Sequence, residues 1–228
     1  MKWLFRLLVL PPLALVLFNV YVYGSIISYR AVAPHHSAFM TARMAEFRRE
    51  GRNVALDYRW RAYPDISANL KKALIASEDA AFAEHSGFDW NGIRNAINRN
   101  EKSGKIKGGG STISQQLAKN LFLSEWQSYI RKGEEAAITA MLEATTDKDR
   151  IFELYLNVIE WDYGVYGAQA AAQRFFHTDA ARLSKAQAAQ LAARVPAPLR
   201  YADNPSDPRL RSKTNIILRR MGSAALPE

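Results

Sequence analysis

Between Leu7 and Tyr29 the chain runs for 23 residues without a charged side chain or a histidine. No other feature constrains the molecule as strongly. At about 1.5 Å per residue, a helix of that length reaches roughly 35 Å, enough to cross a hydrocarbon core of about 30 Å with some tilt. Trp3 stands at one end, and Tyr21, Tyr23 and Tyr29 at the other, as an aromatic belt requires. Pro11 and Pro12 are expected in the first turns, where they disturb few helix hydrogen bonds. Ala31-Val32-Ala33 has the small-x-small look of a cleavage site. The apolar run, however, outlasts the roughly 7–15 residues of a signal-peptide core, and Pro34 would follow the scissile bond. The expectation is an uncleaved anchor within residues 1–29. Lys2 and Arg6 before the run balance Arg30 and Arg43 after it, so charge counting does not set the orientation.

The anchor does not explain the charge. Of 31 Lys and Arg residues only Lys2 and Arg6 precede the run, and the 228-residue chain carries a net +9. A basic excess implies an anionic partner: nucleic acid, an anionic membrane face or a phosphorylated substrate. The chain has no cysteine, which excludes disulfides, thiolate nucleophiles and cysteine-ligated metals. Residues 30–59 read as a juxtamembrane linker, its charged, Arg-rich part at 36–52 as a linker helix or stalk. Helical patterns follow at 67–84, 86–100, 113–123, 126–146, 148–160, 164–175, 184–194 and 209–221, with a polar Gly-rich loop at 101–112. Period-2 strand patterns are nearly absent, so the class is mostly α.

One carboxylate stands out. On a helix over 67–84, Leu70, Ala73, Leu74, Ala81 and Phe82 define an apolar stripe, and Glu78 falls inside it. Asp79 falls on the opposite side, placed for solvent or a cap. A partly desolvated carboxylate suits general acid–base work, although a core ion pair with Lys or Arg would look the same from spacing alone. Some 20 residues on, a Gly run leads through Ser111 or Thr112, both plausible N-caps, into Ile113. Such a helix start favours anions, and Lys105, Lys107 and Lys119 add charge. The spacing is not that of a Walker loop. Arg131 and Lys132 then precede Glu134 and Glu135, a pattern that dipole complementarity alone could explain. Helical phase does not choose between the two acids.

Taken together, EDxxFxxHxG at 78–87, GGSTISQQLAKN at 109–120, RKxxE at 131–135 and KxxIFExYLN at 148–157 resemble the successive motifs of glycosyltransferase family 51. These are the peptidoglycan glycosyltransferases, found alone or joined to a transpeptidase. No Ser-x-x-Lys occurs, so the transpeptidase nucleophile motif is missing, and a chain carrying the glycosyltransferase alone is expected. The resemblance covers about 60–220. It implies a lysozyme-like α fold with a head lobe and a membrane-embedded jaw, in a domain over 60–221 with a short tail at 222–228. Leu121, Phe122, Leu123, Trp126, Tyr129 and Ile130 are either the jaw's lipid-dipping surface or ordinary core.

The resemblance further implies that lipid II is polymerised into β-1,4 glycan with inversion and release of undecaprenyl pyrophosphate. Glu78 then matches the catalytic base, and Glu135 the second motif acid, which orients the neighbouring cations or helps hold a divalent ion near the pyrophosphate. Arg131, Lys132 and Lys119 are candidates to stabilise the pyrophosphate. Asp79, Phe82, His85, Gly109, Ser111, Thr112, Gln115, Gln116 and Asn120 complete the implied substrate-binding set. No cofactor is obligatory. Mg²⁺ or Mn²⁺ would ride on the substrate pyrophosphate rather than on a protein metal site, since the four histidines form no HExxH. The expected partners are lipid II, a lipid-linked glycan chain, the membrane, and cell-division or cell-wall synthesis proteins, with no nucleic acid. The expected location is the bacterial inner membrane, single-pass, with the catalytic domain in the periplasm. The rival reading is a membrane-anchored lysozyme-like lytic enzyme, which has no need of a pyrophosphate clamp. Arg194-Val195-Pro196-Ala197-Pro198 departs from the more apolar family pattern and leaves substrate contacts there open.

Overall fold

A computed structural model describes residues 2–103, 110–123 and 129–227. Helix α1 (Lys2–Tyr29) is the apolar run. Because it begins at Lys2, Pro11 and Pro12 stand well inside it rather than in its first turns. The stretch Val9–Tyr29 is long and apolar enough to cross a membrane. Leu10, Val16, Leu17 and Val20 are more than half exposed, a state that water disfavours and lipid does not. Its C-terminal end is different. Val22 and Ile26 are fully buried, and the Tyr29 ring stacks on Phe122 at 6.1 Å.

The segment read as a linker is folded onto the domain. Helix α2 (Ala38–Arg49), N-capped by Ser37, buries Phe39, Met40 and Phe47. Strand β1 (Asp57–Tyr58) then joins a small sheet. The arginines hid this because they sit between those apolar positions: Arg43 reaches Glu46 at 2.7 Å and Glu160 at 3.4 Å.

Helix α3 (Ala68–Glu78) starts at Ser67, whose hydroxyl accepts the Asn69 N–H, and packs on α9 (Lys185–Arg194) and α11 (Pro208–Arg220). A second group joins α5 (Ile113–Phe122) to α6 (Tyr129–Thr145) and α7 (Lys148–Val158). Helix α4 (Trp90–Ser103) lies between these groups in sequence; α8 (Ala168–Phe176) follows the sheet, and α10 (Pro198–Asp203) fills the proline-rich stretch before α11. Phe82, Phe152, Tyr155, Trp161 and Tyr166 are among the largest fully buried side chains of the shared core.

The helical reading of 148–160 and 164–175 runs through two short strands, β2 (Glu160–Asp162) and β3 (Val165–Tyr166). β3 pairs parallel with β1 and antiparallel with β2. Gly164, at φ +70°, turns the chain between β2 and β3, where a side chain would strike the Ala55 carbonyl. Asn157 secures the same corner: its amide donates to the Arg61 carbonyl and its oxygen accepts the Arg61 N–H, each at 2.8 Å.

Candidate functional site

A cleft of about 800 Å³ lies between the end of α3, the start of α4, α5, Glu135 on α6, the Val195–Pro196 turn and Lys213 on α11. Glu78, Asp79, Ser111, Thr112, Gln115, Gln116, Lys119 and Glu135 all line it, so motifs separated by some 55 residues of chain share one wall. Gly109 lies outside the described residues.

The two adjacent acids at the end of α3 have unlike surroundings. Glu78 is the last residue of the helix and projects into the cleft, its side chain 11% exposed. Its Oε1 accepts from the Ser77 hydroxyl at 2.8 Å and lies 3.4 Å from Lys213 Nζ. Its Oε2 accepts from Gln116 Nε2, also at 3.4 Å, a long bond. This carboxylate is thus partly desolvated and lightly held.

Asp79 is not a solvent-facing residue. The helix ends before it, and with φ −160° the chain turns so that its carboxylate is buried. Oδ2 accepts the Ile113 N–H at 2.9 Å, anchoring the start of α5, where the free amides and the dipole favour a negative charge. Oδ1 accepts from His85 Nε2 at 3.0 Å. The other ring nitrogen, Nδ1, takes the Gly87 N–H at 3.1 Å, which leaves the His85 proton on Nε2 to donate. Asp79 and His85 therefore brace the cleft. Phe82 makes no approach to it: the ring is fully buried against Phe152, with Lys148 Nζ 4.5 Å from its centroid. Asn120 is also buried and is not among the cleft-lining residues.

Helix α5 owes its start to Thr112. Its hydroxyl accepts the Gln115 N–H, while the Gln115 side chain accepts the Thr112 N–H, a reciprocal capping box. The Thr112 hydroxyl also donates to the Gly87 carbonyl at 2.7 Å, tying the first motif to the second. One turn on, Gln116 takes a hydrogen bond from the Tyr155 hydroxyl at 3.0 Å and passes its own amide toward Glu78. Burial first, then the nearby Glu78 and Asp79 carboxylates, pushes the Tyr155 phenol well above its ordinary range. Tyr155 therefore stays a donor.

Geometry also separates Glu134 from Glu135. Glu134 is half-buried, whereas Glu135 is buried and reaches back one turn to both cations. Arg131 Nη1 donates to its Oε2 at 3.1 Å, and Lys132 Nζ pairs with its Oε1. The Lys132 side chain remains 50% exposed, free to meet a ligand while tethered at one end. Leu121, Phe122 and Leu123 are core residues, not lipid-dipping ones, while Ile130 is 77% exposed. Trp126 lies outside the described residues.

Lys213 was not visible as a site residue. It is 135 positions from Glu78 and reads in sequence as one more cation on a basic terminal helix. Val195 and Pro196, in the stretch that departs from the family pattern, also line the cleft. No group of three acids and histidines that could hold a metal occurs among the described residues. Of the cleft carboxylates, Asp79 is engaged by the Ile113 amide and His85, and Glu135 by Arg131 and Lys132.

Comparison with known proteins agrees with this arrangement. Residues 45–222 match the transglycosylase family profile. A biosynthetic peptidoglycan transglycosylase of Neisseria meningitidis serogroup C (strain 053442) is 71% identical over 227 residues, spanning this whole chain and 96% of the relative. One from Neisseria gonorrhoeae is 68% identical over the same span. With a helix-borne glutamate in its cleft and a mostly α, lysozyme-like fold, the chain belongs to the transglycosylase family.

Proposed function

We propose that this protein is a peptidoglycan glycosyltransferase that polymerises lipid II for cell wall synthesis, with Glu78 as its general base. The observation that carries the assignment of the base is the contrast within the cleft. Glu78 meets its two partners across the cleft, Gln116 and Lys213, only at 3.4 Å, beside a 2.8 Å bond from its neighbour Ser77, while Asp79 and Glu135 are fixed by partners at 3.1 Å or less and Lys119 lines the same cleft. An inverting transfer needs a base on the acceptor hydroxyl and charge stabilisation on the departing group. Glu78 takes the proton from the 4-hydroxyl of the incoming sugar as that oxygen attacks the donor anomeric carbon. The bond to the undecaprenyl pyrophosphate breaks on the opposite face. Arg131 and Lys132, oriented by Glu135, and Lys119 meet the leaving diphosphate. Lys213 orients Glu78 before the acceptor arrives. Ser111, Thr112, Gln115 and Gln116 line the path between these ends. A divalent ion, where present, belongs to the substrate diphosphate.

The anchor supports a single-pass membrane protein, with the domain held at the face where lipid-linked substrate arrives; we place that face in the periplasm, at the inner membrane. Incubating the purified full-length protein with labelled lipid II, and separately with preformed glycan, tests the assignment. Polymer from the first and no cleavage of the second is the expected result. Cleavage of glycan without polymer would establish the lytic alternative instead.

A further inference from the structure

A second cavity, of about 390 Å³, lies between the last turn of α1 and the corner joining α6 to α7. Ile27, Arg30 and Ala31 form one side; Thr146, Asp147 and Arg150 form the other. The α1 side is held in place. Arg150 donates from Nε to the Tyr29 carbonyl at 2.7 Å and from Nη2 to the Val32 carbonyl at 2.9 Å, while its Nη1 pairs with Glu153. Arg150 is therefore spent on structure.

Arg30 and Asp147 are not. Each borders the cavity, each is exposed, and neither makes an ion pair among the described residues, including with the other. Asp147 occupies the N-cap position of α7, yet its side chain makes no capping bond. Opposite charges flanking one cavity without closing on each other leave room for a dipolar ligand. The setting selects its kind. Tyr29 ends the apolar span, so the cavity sits where phospholipid headgroups lie, and Ile27, 40% exposed, continues its floor toward the acyl region.

We propose that this cavity holds the headgroup of a zwitterionic phospholipid bearing a primary ammonium, a phosphatidylethanolamine. Arg30 meets the phosphate and Asp147 accepts from the ammonium; Thr146 is the further polar group at the site. Binding there fixes the height and tilt of the domain over the bilayer. The inference rests on α1 being a membrane span, not on the chemistry assigned to the cleft.

The test uses the full-length protein in detergent, with phosphatidylethanolamine, phosphatidylglycerol or phosphatidylcholine added at equal amounts and retained lipid read by native mass spectrometry. Phosphatidylethanolamine is expected to be retained about fivefold more than either other lipid, the scale of one partly exposed ion pair. Asp147→Asn removes that preference and leaves phosphatidylglycerol unchanged; Arg30→Gln lowers both. Asp65→Asn, an exposed acid not bordering the cavity, serves as control. Free phosphoethanolamine does not compete, because it lacks the chains that rest on Ile27. Equal retention of the three lipids, an unaltered preference in Asp147→Asn, or full competition by free phosphoethanolamine overturns the proposal. A protein that selects the lipid but does not polymerise lipid II would refute the cleft assignment alone.

Discussion

Glu78 and Asp79 are neighbours in sequence and opposites in setting. Asp79 is saturated: a backbone amide at 2.9 Å and an imidazole at 3.0 Å fix both of its oxygens in a buried pocket. Glu78 opens into the cleft, with its cross-chain partners at 3.4 Å. A carboxylate locked by short bonds builds structure, because moving its proton or charge would break those bonds. One held lightly can exchange a poorly aligned partner for a substrate hydroxyl. Glu135 extends the contrast: like Asp79 it is saturated, but by two cations, so it organises charge instead of backbone.

The largest effect belongs to Glu78→Gln. Loss of a general base should lower lipid II polymerisation by about 10²–10⁴-fold. Asp79→Asn should act through folding. Weakening two charge-assisted bonds at a buried site costs about 3 kcal/mol, lowering the melting temperature by roughly 5–10 °C in a domain of this size. Glu135→Gln sharpens the third case. It loosens Arg131 and Lys132 without removing them, and steady-state kinetics should show a fall of about tenfold or more in kcat/KM. Tyr155→Phe is the mildest, since only the bond that orients Gln116 is lost. A decrease of about fivefold in rate, matching roughly 1 kcal/mol, is expected with near-normal stability.

The sequence carried the local terms of this comparison and missed the non-local ones. A cap at Ser111 or Thr112 was legible because capping acts over two or three residues, and the structure selects Thr112. Glu78 was legible because the apolar stripe on α3 repeats with the helical period. For Asp79, expected to face solvent or serve a cap, the solvent alternative fails because the helix ends before it, whereas its carboxylate does bond the first N–H of α5. Lys213 was missed because a contact across 135 residues leaves no periodic trace. The juxtamembrane stretch, read as a linker helix or stalk, is a helix, but its docking onto the domain was hidden because three apolar residues on α2 were outweighed by its arginines. Phe82 and Asn120, implied as ligands by their motif, support the wall of the cleft from within the core. The docked end of α1 was hidden too: an uncharged run looks alike whether lipid or protein covers it, and only packing shows Val22 and Ile26 turned inward.

The most direct test measures lipid II polymerisation and thermal unfolding on the same preparations of Glu78→Gln and Asp79→Asn. Glu78→Gln should unfold like the unaltered protein and lose polymerisation by at least about 100-fold. Asp79→Asn should unfold at a clearly lower temperature. A folded Glu78→Gln protein that polymerises within about threefold of the unaltered rate would contradict the assignment of Glu78 as the base.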